Sequence, residues 1–181
     1  QWAKNILIFV PAIAAHQIAD LNVIFTLTLA FISFSLCASS VYILNDLFDL
    51  ENDRRHPRKQ KRPLAAGSVS LASGVFLAPI LLLASGSIAL SVSPAFVVAL
   101  LTYYALTCAY SVVLKRIVLL DCLVLASLYT LRVVAGAAAI SLGMSFWLLA
   151  FSVFLFLSLA FVKRFVELQE LTVNDSSQNL H

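Results

Sequence analysis

Long uninterrupted apolar runs constrain this chain more than any other feature. Residues 21–44 (LNVIFTLTLAFISFSLCASSVYIL) contain no Asp, Glu, Lys or Arg, and a helix needs around 20 apolar residues to cross a hydrocarbon core of about 30 Å. Similar runs recur as far as residue 162, so that only 12% of the chain is charged and the mean hydropathy is +0.97. Soluble domains carry about 25% charged residues. The runs are continuous rather than alternating, which argues against lipid-facing strands. The expected fold is an all-α, polytopic transmembrane helical bundle forming one domain over residues 1–181. Six spans are expected, near Lys4–Ala19, Leu21–Leu44, Leu71–Leu90, Pro94–Leu114, Val118–Leu142 and Phe146–Val162.

Charge is distributed unevenly between the connections. SVSP (91–94) and SLGMS (141–145) have none, while every Lys and Arg except Arg132 falls at the start of the chain or in an even-numbered connection. The positive-inside rule places those connections in the cytoplasm. Pro79 and Gly136, the latter among alanines, are expected to be kink and packing positions within spans. Cys37, Cys108 and Cys122 are odd in number and lie apart in apolar segments, which fits small buried hydrophobes rather than disulfides or metal ligands. The chain opens on Gln1 and closes on ELTVNDSSQNLH, and both ends are expected to be cuts.

Much of the charge is concentrated in YILNDLFDLENDRRHPRKQKRPLAAG (42–67), where four acids precede seven basic side chains, His56 included. On a helix, Asp46, Asp49 and Asp53 follow an i, i+3, i+7 spacing that puts three carboxylates on one stripe, with Asn45 beside Asp49. Glu51 points elsewhere. Like charges at the mouth of a membrane helix repel, and a cation should neutralise them. Oxygen ligands suit a hard ion, and Mg²⁺ typically combines one or two carboxylates with substrate phosphates. Arg54, Arg58, Lys59, Lys61 and Arg62 would then meet phosphate oxygens. The competing reading is a solvated loop whose acids and bases pair with one another.

NDLFDLEND (45–53) resembles the N-D-x-x-D-x-x-x-D motif of the UbiA superfamily of membrane prenyltransferases, and KRPLAAG (61–67) resembles the R-P-[LI]-x-x-G that follows it there. The D-G-x-x-A-R of the CDP-alcohol phosphotransferases, another family with spaced aspartates at a membrane surface, does not occur. The resemblance implies Mg²⁺ as cofactor, metal-binding roles for Asn45, Asp46, Asp49 and Asp53, with the three aspartates catalytic, and a diphosphate contact for Arg62. It also implies a second motif, D-x-x-x-D, which is missing: Leu125 follows Asp121 and Asn179 follows Asp175 at that spacing. The chain is therefore expected to cover the front two thirds of the family's fold and to be catalytically incomplete alone.

DRRHPRKQKRPLAAG (53–67), YSVVLK (110–115) with Leu120–Asp121, and LRVVAG (131–136) are similar to the decaprenyl-phosphate phosphoribosyltransferase branch, with Arg54, His56, Lys59 and Arg62 in register. That branch implies transfer from phosphoribosyl diphosphate to a polyprenyl phosphate at a bacterial inner membrane, with the site facing the cytoplasm. Polyprenyl transfer from a diphosphate to an aromatic acceptor such as 4-hydroxybenzoate remains the alternative. A transporter component that holds anionic lipid with its basic loop is the non-enzymatic one. Membrane lipid is an expected partner under each reading, and nucleic acid is not.

Arg132 stands alone among apolar residues, where an unpartnered guanidinium costs at least about 2.5–3.5 kcal/mol. It should face the bundle interior, either bonded to backbone carbonyls or lining the substrate cavity. Asp121, eleven residues earlier, lies on nearly the same face but about 16 Å away along the axis, too far for contact; a phosphate-bearing ligand or carboxylates of the second helix would bridge the gap, and both residues are expected to bind substrate. Tyr110 and Lys115, ending the fourth span, either reach a phosphate or are ordinary interfacial side chains. His56 reads as a loop residue or proton carrier, and Lys163 with Glu167 as a surface i, i+4 pair.

Overall fold

The computed structural model describes residues 2–55, 59–112 and 118–178. Their regular structure is all helical, without strands. A 3-10 stretch, Trp2–Phe9, leads into α1 (Val10–Ala14), followed by α2 (Leu21–Phe48), α3 (Leu50–Arg55), a 3-10 turn at Lys59–Lys61, α4 (Leu71–Val92), α5 (Pro94–Val112), α6 (Val118–Ala139) and α7 (Phe146–Gln178).

Five of these helices, α2, α4, α5, α6 and α7, are long and apolar enough to cross a membrane. The first expected span, Lys4–Ala19, ends earlier than expected: among the described residues the apolar helix there runs Trp2–Ala14. Ala15 leaves helical geometry as its C-cap, and His16 takes a positive φ of 55°, so the helix stops at Ala14 rather than Ala19. The ends of α2 and α5 and the starts of α4 and α6 share one side of the bundle, where the charged connections lie.

Hydrophobicity cannot hold these helices together, since lipid is as apolar as leucine; close packing and polar contacts do so instead. Against α4, Ser33 Oγ of α2 donates to the carbonyl of Ser85 at 2.8 Å, and Ser85 Oγ returns a bond to the carbonyl of Ser33 at 2.7 Å. Ser40 Oγ donates to the carbonyl of Ala78 at 2.7 Å, next to Pro79. Ser93 joins two helices, since it receives the Phe96 N–H at the start of α5 and donates to the carbonyl of Ala138 in α6. Helix α6 is the most enclosed span, whereas α4 and α7 present exposed apolar side chains such as Phe76, Leu83, Trp147 and Phe154 outward.

The N-terminal 3-10 stretch crosses α6 at Gly136, where a Cβ would overlap the carbonyl oxygen of Ile8. That bears out the packing role expected of this glycine. Gly136→Ala should therefore lower the stability of the protein in detergent by about 1–3 kcal/mol, the usual range for overpacking. Gly86→Ala, where nothing lies within 4 Å, is the control. Equal melting temperatures for the two variants would contradict this account of the crossing.

Candidate functional site: a carboxylate pair bridged by arginine

The charged stretch folds into two short helical pieces and a locked turn. Asp49 ends α2 with φ −94° and ψ 9°, away from helical ψ, while its N–H still bonds the carbonyl of Asn45 at 2.9 Å. The Asp53 N–H then bonds the carbonyl of Asp49 at 2.8 Å. The axis is thus jointed at Asp49 without losing its hydrogen-bond ladder. Asp46 comes from the last turn of α2 and Asp53 from α3.

Both carboxylates converge on one nitrogen. Arg62 Nη1 lies 2.8 Å from Asp46 Oδ1 and 2.7 Å from Asp53 Oδ2. Asp53 is 1% exposed, so its charge depends on that contact. Its other oxygen, Oδ1, is buried without a hydrogen bond, and Lys59 Nζ stands 4.0 Å away. Arg62 is delivered by a turn built from the residues after it. The Ala66 N–H bonds the carbonyl of Arg62, Ser68 Oγ and the Val69 N–H bond the carbonyl of Pro63, and Gly67 adopts φ 74°, a region that side chains disfavour. Leu64 is buried, and its Cδ2 would lie 3.3 Å from a Cβ on Gly74 of α4. The pattern R-P-L-x-x-G therefore has a mechanical meaning: an arginine held forward, a leucine anchored on the next helix and a glycine turning the chain.

Asp46 and Asp53, which meet at Arg62, offer hard oxygen donors of the kind a divalent cation takes from two carboxylates, and Asp53 Oδ1 is without a hydrogen bond. Among the described residues no three His, Cys, Asp or Glu side chains stand close enough to hold one ion. Asp49, at the joint, is half-buried and engaged in interactions of its own. Arg54 is exposed, and Glu51 pairs with the exposed Arg55 at 3.9 Å. His56, Arg58 and Lys115 lie outside the described residues, as does the side chain of Glu167.

The other expected residues form a second group. Tyr110 donates to Asp121 Oδ1 at 2.6 Å, joining the end of α5 to the start of α6. Arg132 faces inward and is 6% exposed. Its Nε donates to Asn5 Oδ1 at 2.9 Å, Nη1 to the carbonyl of Leu128, and Nη2 to the Tyr103 hydroxyl at 3.2 Å. The rings of Phe34, Tyr103 and Tyr129 surround it at 5.0–5.6 Å. Arg132 and Asp121 do not meet, as their spacing requires. Asn45, Tyr110 and Arg132 line a cavity of about 130 Å³ that Asp46, Asp49 and Asp53 do not line. Lys4, Asn5 and Tyr103 were not singled out by sequence as site residues; Lys4, a cation inside an apolar helix, is the one signal that could have found this group.

Residues 6–171 match the UbiA prenyltransferase family. The chain belongs to that family. Its UbiA fold is also seen in the structure of a UbiA homolog from Archaeoglobus fulgidus bound to DMAPP and Mg²⁺, with a TM-score of 0.73 at 20% identity over 87% of this chain and 57% of that one. Family and apolar helices together make it an integral membrane protein. Among sequence relatives, an uncharacterized Sinorhizobium fredii protein, y4nM, is 46% identical over 92% of this chain and 32% of its own length. Nodulation protein NoeC of Azorhizobium caulinodans is 39% identical over 94% and 55%, respectively. Decaprenyl-phosphate phosphoribosyltransferase of Mycolicibacterium smegmatis is 36% identical over 93% and 54%. The chain thus spans about a third to a little over half of these relatives.

Arg62→Ala should destabilise the protein by about 2–3 kcal/mol, because breaking a buried pair strands the remaining charge. Arg54→Ala should be near neutral, and adding Asp53→Asn to Arg62→Ala should recover much of the loss. Indistinguishable thermal unfolding of the two arginine variants would refute the bridge.

Proposed function

We propose that this chain is the donor-binding part of a Mg²⁺-dependent transferase that moves a phosphoribosyl group from phosphoribosyl diphosphate to a polyprenyl phosphate, at the cytoplasmic side of a bacterial inner membrane. The observation that carries this reading is the shared grip of Asp46 and Asp53 on Arg62, with Asp53 Oδ1 left unbonded. Two acids and a mobile-headed cation are the parts needed for a metal–diphosphate complex. When bound, Mg²⁺ would neutralise charge on the diphosphate as it leaves. Asp46 and Asp53, with Asn45 and Asp49 beside them, would hold the ion. Arg62, with Arg54, Arg58 and Lys59, would turn to the phosphate oxygens that no acid occupies.

In the reaction, an oxygen of the acceptor phosphate forms a bond to the anomeric carbon while the bond from that carbon to the diphosphate oxygen breaks. Diphosphate departs with the electron pair. The protein's part is to fix the donor and compensate its charge in a site arranged in advance. The phosphoribosyl version is supported by the decaprenyl-phosphate phosphoribosyltransferases matching 93% of this chain. The second reading, polyprenyl transfer from a diphosphate to an aromatic acid, is supported by the family description and by the neighbour that holds DMAPP.

In the full-length protein, Asp46→Asn and Asp49→Asn should each lower phosphoribosyl transfer by at least on the order of 100-fold, and a chelator should abolish it in the unaltered protein. Membranes supplied with labelled phosphoribosyl diphosphate and polyprenyl phosphate provide the measurement. Full activity of Asp49→Asn would overturn the metal site. Failure to label lipid, with transfer of a prenyl chain to 4-hydroxybenzoate instead, would replace the phosphoribosyl reading by the second one.

A further inference from the structure

Asp46, Asp53 and Arg62 form a closed triangle of charge. One nitrogen, Arg62 Nη1, lies 2.8 Å from Asp46 Oδ1 and 2.7 Å from Asp53 Oδ2, and so serves both acids as a shared metal ion would. An ion and a guanidinium that both touched the same two oxygens would stand in contact as like charges, which repel strongly over so short a distance. The two are alternatives. Asp53 is also 1% exposed, so an ion arriving from solvent reaches it only when the bridge opens.

The partners in this triangle are held unequally. Asp53 sits on α3 with its N–H bonded to the carbonyl of Asp49 at 2.8 Å. The backbone of Arg62 is fixed as firmly, since its N–H bonds the carbonyl of Lys59 at 3.0 Å and its own carbonyl receives the Ala66 N–H at 2.8 Å. Its side chain, however, is 38% exposed. An anion therefore has access to the guanidinium without unfolding the turn. Drawing Arg62 off the acids needs such an anion, because a guanidinium moved into water loses two charge-assisted bonds. A metal ion alone brings no replacement for them. A metal ion arriving with diphosphate supplies a cation for the acids and an anion for Arg62 together, and Asp53 Oδ1, buried and without a hydrogen bond, is an acceptor that the guanidinium leaves unused.

Resting on the transferase reading above, we infer that Arg62 is a built-in competitor for the metal, a latch that closes the Asp46–Asp53 pair against a divalent cation alone and yields to one that arrives with diphosphate. The latch couples the two ligands. By linkage the coupling is reciprocal: whatever diphosphate adds to the affinity for metal, metal adds to the affinity for diphosphate.

The test is calorimetric binding of Mn²⁺ alone, and of a preformed complex of Mn²⁺ with inorganic diphosphate, to the full-length protein in detergent, with thermal unfolding read in parallel. The unaltered protein should bind the complex at least about tenfold more tightly than Mn²⁺ alone, and the complex should raise its melting temperature more. Arg62→Gln should bind Mn²⁺ alone at least about tenfold more tightly than the unaltered protein does and lose most of the preference for the complex. Adding Asp46→Asn to Arg62→Gln should abolish that gain, which ties it to this pair rather than to other acids of the full-length protein. Arg55→Gln, which alters an exposed arginine paired with Glu51, is the control and should behave as the unaltered protein. Binding of Mn²⁺ by Arg62→Gln no tighter than by the unaltered protein, or a gain that survives Asp46→Asn, overturns the latch. An equal rise in the melting temperature of the unaltered protein with Mn²⁺ alone and with the complex also overturns it, and that arm needs no variant to fold. Competition between Arg62 and metal in a protein that transfers no phosphoribosyl group keeps the latch and removes the proposed reaction, and transfer with metal binding indifferent to Arg62 does the reverse.

Discussion

The Arg62 bridge between Asp46 and Asp53 organises the charged end of this membrane protein. Asp53 is sealed from solvent, where an unpaired carboxylate is costly. One guanidinium nitrogen answers both acids, which draws the loop after α3 back over the end of α2. The consequences spread outward from that contact. Leu64 is set against α4 at Gly74, Gly67 reverses the chain, and Ser70 accepts the Ser73 N–H as the cap of α4. The start of one spanning helix is thereby positioned by a charge at the end of another.

Two carboxylates this close would repel if no cation stood between them, and Arg62 supplies the cation internally. The unbonded oxygen of Asp53 marks the incompleteness of the internal arrangement: one arginine nitrogen satisfies one oxygen of each acid and no more.

Sequence showed the features that rest on periodicity and composition. Five spans and the carboxylate stripe follow from apolar length and an i, i+3, i+7 spacing, and Gly136 was legible as a packing position because small residues are how membrane helices approach. The end of the first apolar helix was placed too late because apolar composition alone does not reveal a turn; His16 at φ 55° ends it where hydropathy would carry it on. The Arg62 bridge was hidden for another reason. Spacing along one helix predicts which acids share a face, but a partner brought in by a loop depends on tertiary geometry. Likewise Arg132 was evident as an isolated charge, whereas its partners Asn5 and Tyr103 lie 127 and 29 residues away in sequence and carried no local signal.

The two groups of charge treat burial in opposite ways, and the contrast has chemical meaning. At the end of α2 the acids are compensated by a partly exposed arginine. In the bundle interior Arg132 meets nothing charged among the described residues, only an amide, a carbonyl, a hydroxyl and the faces of three rings. Asn45 lines the cavity that holds Arg132 and precedes Asp46 in the chain, so a neutral side chain, able to donate or accept, stands between the two groups of charge.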